Sequence, residues 1–229
     1  MTTLMLAGIV PPGTPWPDGA PPHERLEAEP GLALALPVPE DADWTGEATT
    51  IALAEAQHGL LCRYAAAGDV LPVALGAVFS GRAALAAHLS SEAEQIAGQA
   101  RLLSGRVEYM LTIDIVAETG SGPAASGGRD HLRRRRAARD RRKDRGAARK
   151  RFVDGIARRL SDQALGLRVR PGRGAGRLAT IDLLLPRGGL DAISLAVEAI
   201  LDDAQDLGLC LTLTGPCPAF SFLERPADG

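Results

Sequence analysis

The distribution of apolar residues predicts an α+β fold of two mixed domains, residues 1–106 and 107–229, the second ferredoxin-like with a long basic helix at about 129–160. Three observations predict it. Short apolar runs of strand length recur between longer segments whose apolar residues keep helical spacing. Gly and Pro clusters separate these segments. From residue 107 onward the order is strand, helix, strand, strand, helix, strand, which is the split βαβ pattern.

The opening "LMLAGIV" predicts a strand, stopped by "PPGTPWPDGAPP", a loop whose prolines and glycines deny it regular pairing. "GLALALPVP" alternates and ends at prolines, so it is expected as an edge strand. In "GEATTIALAEAQHGLLCRYAAAG", Leu53, Ala56, Leu60, Tyr64 and Ala67 fall at helical spacing before Gly68 ends the run. "VLPVALGAVF" predicts a short apolar strand. The next 26 residues, beginning "SGRAALAAHL", predict one helix with Leu85, Leu89, Ile96 and Leu103 on a common face. "RVEYMLTIDIVAE" follows as a strand with Val107, Tyr109, Leu111, Ile113 and Ile115 on one side.

Composition then shifts. "TGSGPAASGG" is a flexible linker by type. It opens a basic rod whose only apolar stripe, Phe152, Ile156 and Leu160, lies at its far end. "LGLRVR-PGRGAG-RLATIDLLL" predicts a hairpin, "GGLDAISLAVEAILDDAQDLG" a helix, and "LCLTLT" the closing strand.

The 229 residues carry a formal charge of only −2, yet residues 129–151 hold 13 basic and 3 acidic side chains. The rest of the chain is correspondingly acidic, so an electrostatic docking of the rod on the remainder, or on an acidic partner, is expected. The rod lacks interleaved aromatics and no nucleic-acid-binding fold pattern flanks it, which leaves nucleic acid as the weaker, alternative partner. The three cysteines, Cys62, Cys210 and Cys217, form no CxxC pair, which argues against a disulfide framework or zinc knuckle. Glu55, His58 and Cys62 share a helix stripe, but no second ligand cluster lies nearby, so no metal is expected. "RPGRGAGR" joins two strands rather than a strand and a helix, so it is a hairpin tip and not a dinucleotide fingerprint. No nucleophile elbow, metalloprotease or phosphate-loop motif is present, and neither enzyme activity nor a cofactor is expected. No apolar run is long enough to span a membrane, and a cytoplasmic protein is expected.

The terminal "TGPCPAFSF" is the most distinctive stretch. Pro216 and Pro218 fix φ and remove two N–H donors, turning the chain away from central pairing. Phe220 and Phe222 are two of only four phenylalanines, and in an extended segment they would share one face. "VLPVALGAVF", "GRVEYML", "GRDHLRRRR" and "LTGPCPAFSF" together resemble, in order and spacing, the gas vesicle protein GvpF/GvpL family over nearly the whole chain. Gly215, Pro216, Pro218, Ser221 and Phe222 match the family's terminal Gly-Pro-Trp-Pro-Pro-Tyr-Ser-Phe signature. Phe220 replaces its tyrosine, Cys217 its tryptophan and Ala219 a proline. Ala74, Thr112 and His131 depart from the family at other motif positions.

The resemblance implies a gas vesicle assembly factor or minor vesicle component, cytoplasmic and vesicle-associated. Its partners would be the small apolar shell-forming protein and other gas vesicle accessory proteins. Apolar shell subunits aggregate before assembly unless something covers them. Gly215, Pro216, Pro218, Phe220 and Phe222 are the candidate partner-binding residues. The competing expectation is that both rings fold back to close the core of the second domain.

Overall fold

A computed structural model of the chain describes residues 2–29, 31–39, 42, 46–116, 128–174 and 176–223. The chain forms two compact units. The first comprises residues 1–109, 184–187 and 215–229; the second comprises 110–183 and 188–214. Most of the expected linker lies outside the described residues.

In the first unit, β1 (Thr3–Val10), β2 (Glu24–Ala28), β3 (Gly31–Val38), β4 (Leu71–Pro72) and β5 (Val78–Phe79) form one sheet. Its order is β2-β3-β1-β4, with β5 also paired to β1, and every pairing is antiparallel. The sheet is buried on both faces. Leu4, Leu6, Ala33 and Ala35 join one apolar cluster with Leu85 and Leu89 of α2 (Arg82–Ser91) and Leu103 of α3 (Ala93–Leu103). Met5, Ala7, Leu34 and Leu36 join a second with Leu60, Leu61 and Tyr64 of α1 (Glu47–Ala67). The register of β1 against β3 shifts between Leu6 and Gly8. This extra residue reverses the alternation, so Ile9 joins the first cluster and Val10 the second. The carbonyl of Ala7, at the irregularity, accepts from the buried Gln57 side chain at 3.0 Å, and that amide also donates to Val73 O at 2.8 Å. The Ala7 carbonyl also accepts from the Val73 N–H at 3.1 Å, so a buried polar side chain in α1 adds a second bond at the bulge.

The remaining elements are β6 (Arg106–Ile115), α4 (Gly128–Ser161), β7 (Gly166–Pro171), β8 (Arg177–Pro186), α5 (Leu190–Glu198), α6 (Leu201–Asp206) and β9 (Leu209–Cys217). Their strands form a sheet ordered β7-β8-β6-β9. The core of the second unit holds Leu111, Ile113, Ile181 and Leu183 from the strands, Ile156 and Leu160 from α4, and Ile193 from α5.

Several sequence expectations are corrected. β3 lies between β2 and β1 rather than at an edge. Pro37 is tolerated because β2 pairs only with Gly31–Ala35, so the outer side of β3 has no sheet partner there. "VLPVALGAVF" is not one strand but two short ones, β4 and β5, parted by a turn in which Gly76 takes φ +100°. The helix expected across residues 80–105 breaks at Glu92 into α2 and α3, and the later helix breaks at Ile200 into α5 and α6. In the basic rod, residues 138–147 of α4 are exposed. Its C-terminal part is anchored by Val153, Ile156 and Leu160 and by Arg149, which donates to Leu207 O at 2.9 Å and Gly208 O at 3.4 Å. Those carbonyls lie at the C-terminal end of α6, where a cation is favoured.

Candidate functional site

The terminal stretch Gly215–Phe222 belongs to the first unit, and three features hold it there. Gly215 takes φ +149°, and a Cβ on it would stand 2.5 Å from Tyr109 Cδ1. Only glycine fits so close to the ring in that conformation. Beyond β9 the chain closes into a 3-10 turn, Phe220–Phe222. The backbone N–H of Ser221 donates to Glu108 Oε2 at 3.0 Å and its hydroxyl donates to Oε1 at 2.7 Å. Glu108 is buried, so these charge-assisted bonds compensate part of its desolvation.

The 3-10 turn corrects the expectation of an extended segment with both rings on one face. At three residues per turn, positions i and i+2 diverge. Phe220 packs against the cluster of Leu60, Leu61 and Tyr64 beside α1. Phe222 and Leu223 pack against the opposite cluster, with Leu85, Leu89 and Leu103. Ala219 is part of that same cluster, at 3% exposure. Both rings thus close cores of the first unit, not a core of the second, and each stays half-buried. Of the candidate partner residues, Pro218 is buried, Pro216 is half-buried and Gly215 is exposed.

His58 Nε2 lies 3.4 Å from the Cys62 sulfur, one helical turn away, and Cys217 is the group that most affects the titration of Cys62. Cys217 pulls the Cys62 thiol down to about 7, against the opposing effect of burial. The same interaction pushes Cys217 up, helped by burial and by the negative charges of Cys62 and Glu108. Among the described residues no three His, Cys, Asp or Glu side chains are arranged to hold a metal ion. His58 and Cys62, singled out on a helix stripe, do meet; the missing signal was Cys217, which no spacing rule links to α1.

A second arrangement was invisible in the sequence. Arg25 donates through Nε and Nη2 to the Tyr64 hydroxyl, at 2.9 and 2.6 Å, and through Nη1 and Nη2 to the carbonyls of Thr14 and Pro15. Its guanidinium also covers the Trp16 ring at 4.2 Å. His23 Nδ1 lies 2.8 Å from Pro21 O and Nε2 lies 2.9 Å from the Tyr64 hydroxyl. These contacts fasten the Pro-rich loop to α1. On the second unit, Asp182 is fully buried and bonded to Arg170 at 2.6 Å across β7 and β8, while its Oδ2 has no hydrogen-bond partner among the described residues.

No helix among the described residues is long and apolar enough to cross a membrane. No curated protein matches the sequence. Two crystal structures are similar in fold. The gas vesicle protein GvpF from Anabaena sp. PCC7120 has a TM-score of 0.69 and 15% identity, covering 100% of this chain and 99% of that one. GvpF from Microcystis aeruginosa has a TM-score of 0.66 and 17% identity, covering 97% and 99%. The family described as gas vesicle synthesis protein GvpL/GvpF matches residues 23–224, from β2 through the terminal turn, and the chain therefore belongs to that family.

Proposed function

We propose that the protein is a gas vesicle assembly factor or minor vesicle component that binds the small apolar shell-forming subunit and supports vesicle formation without catalysis. Family membership that runs through the terminal "GPCPAFSF" stretch carries this reading. The half-buried rings of Phe220 and Phe222 support it further. Each keeps an exposed edge beside two prolines, a stiff apolar rim suited to another apolar surface. The partner site proposed here is that rim, from Gly215 to Phe222. The action is placed in the cytoplasm, with other gas vesicle accessory proteins as further partners. The segment from β6 to β9 is proposed to be a ferredoxin-like domain, on the support of its strand order β7-β8-β6-β9.

The test is capture of the shell subunit by purified protein freed of metal and nucleotide. Capture should persist, and Phe220→Leu with Phe222→Leu, which keeps the cores filled, should weaken it severalfold at little cost in stability. Capture that needs added zinc or ATP would overturn the cofactor-free reading. Unchanged capture by the double variant would move the partner site elsewhere. The exposed arginines of α4 favour one alternative, a nucleic-acid accessory role. Tight DNA or RNA binding that falls steeply with salt would support it.

A further inference from the structure

We propose that the β7–β8 hairpin of the second unit builds a binding site for a short polyphosphate, whether free or as the triphosphate tail of a nucleotide. The proposal does not depend on the partner reading, and shell-subunit capture is expected with or without this ligand. Its geometric basis is a cavity of about 500 Å³, lined by Arg170, Gly172, Arg173, Arg177 and Thr180 of the hairpin and by Met110 of β6. All of these residues lie in the second unit. Three of them are arginines, and no acidic residue lines the cavity. The hairpin is a fixed frame for those side chains. The Gly172 N–H donates to Leu178 O at 3.0 Å, and the Ile115 N–H of β6 donates to Gly176 O at 2.6 Å. A Cβ on Gly172 would overlap the Arg177 carbonyl, so only glycine lets the two arms pass this closely. That close pass brings Arg170 and Arg173 of one arm to the same cavity as Arg177 of the other.

Two of the three guanidiniums are held by carboxylates that do not line the cavity. Asp182, fully buried, accepts from Arg170 Nη2 at 2.6 Å. Asp114 accepts from Arg177 Nε at 2.9 Å and Nη2 at 3.3 Å, which leaves Arg177 its Nη1 donors. Arg173 has no acidic partner among the described residues. Thr180, two residues before Asp182 on the same face of β8, adds a hydroxyl. This chemistry selects a compact ligand with several negative charges. Guanidiniums gathered round one space repel one another, and the two aspartates offset only part of that charge. Phosphate oxygens accept paired N–H bonds from the planar guanidinium fork, and a chain of phosphates meets several forks at once. A single carboxylate would leave most of the arginines unmet. No aromatic ring lines the cavity, so a nucleobase has nothing to stack on and the phosphates alone are recognised. The string "RPGRGAGR", which is no dinucleotide fingerprint, thereby serves as an arginine cradle.

The experiment titrates the full-length protein with magnesium-free inorganic triphosphate by calorimetry, with ATP and inorganic phosphate as separate arms. Triphosphate should bind saturably at one site, ATP should bind with the same affinity, and inorganic phosphate should bind more weakly. Added salt should weaken all three. Arg173→Gln, at an exposed position, should weaken triphosphate binding about tenfold without lowering the melting midpoint. Arg141→Gln with Arg142→Gln, exposed on α4, should leave binding unchanged. Amide shifts on titration, followed by NMR, should centre on residues 170–180. Absence of saturable triphosphate binding, equal weakening by the α4 pair and by Arg173→Gln, or shifts centred outside the hairpin would overturn the proposal. So would ATP binding about tenfold more tightly than triphosphate, which would assign recognition to the nucleoside, or binding of DNA or RNA without triphosphate. Arg170→Gln would strip the buried Asp182 of its partner and unsettle the fold; the Arg173 variant and the wild-type shifts decide the matter with that pair intact.

Discussion

Gly215 is the residue where local geometry is least forgiving. At φ +149° any side chain is strained, by about 1–3 kcal/mol, and here a Cβ also meets the Tyr109 ring. Gly215→Ala should lower the melting midpoint of the first unit, and a variant that trims the ring, Tyr109→Leu, should recover the steric part but not the backbone part. Denaturant titration of the single and double variants measures the split. His23 is the other telling residue. Burial, with the nearby Arg25 charge, lowers its pKa below the usual 6.5 despite the raising effect of the Pro21 carbonyl. The unfolded chain then takes up the proton first. The neutral ring's contribution is complete above pH 6.5 and fades as pH falls from there through the folded value. Protonation also ends the ring's ability to accept the Tyr64 hydroxyl proton through Nε2. Melting curves between pH 8 and 5 should show a fall in stability that is smaller in His23→Gln. Equal slopes in the two proteins would remove His23 as its source.

Among the elements, α4 shows how a sequence rich in one charge can still be helical. Its exposed middle carries Arg141 and Arg145 at i, i+4 spacing, a repulsive pair that the anchored end, where Arg149 continues the series, must outweigh. Gly146 lies in that middle, and a Cβ there meets nothing within 4 Å. Gly146→Ala should therefore stabilise the helix by about 0.5–1 kcal/mol, read as slower amide exchange in residues 138–150. An unchanged exchange rate would mean that segment opens by a route the glycine does not limit. The elements also differ in how plainly the sequence announces them. The alternation of β3, the stripe of α1 and the limits of the basic helix were legible because burial imposes a period. β2 was missed because "ERLEA" is short and charged and fully buries only Leu26. The turn at Phe220–Phe222 was read as extended because prolines forbid pairing without saying what replaces it. The candidate site was legible as a motif, yet its neighbour Glu108 comes from another part of the fold, and no local pattern points to it.

At the scale of the whole molecule, the first unit is discontinuous in sequence. Its two apolar clusters recruit Leu184, Ala219, Phe222 and Leu223 on one side and Phe220 on the other. Arg187 adds to this by donating to Ala65 O and Gly68 O, at 2.7 and 2.6 Å, where α1 ends. A chain truncated after Thr214 should therefore lose stability in the first unit by several kcal/mol, since burial of one Phe is worth about 1.5–3 kcal/mol and several groups go at once. Amide exchange should rise in β1 and α1, with smaller change at Leu111, Ile113 and Ile181 in the second unit. Uniform loosening of both would show that the two melt together.

The same discontinuity has a consequence in time. The ribosome makes β1, β3 and α1 early, but residues 215–223, which complete both of their apolar clusters, follow only after residues 110–214. At about 5–20 residues per second, that interval lasts on the order of 5–20 s. Through that delay the nascent first unit keeps unfinished apolar surface. A protein proposed to shield the sticky subunits of a shell would itself be in need of shielding while it is made.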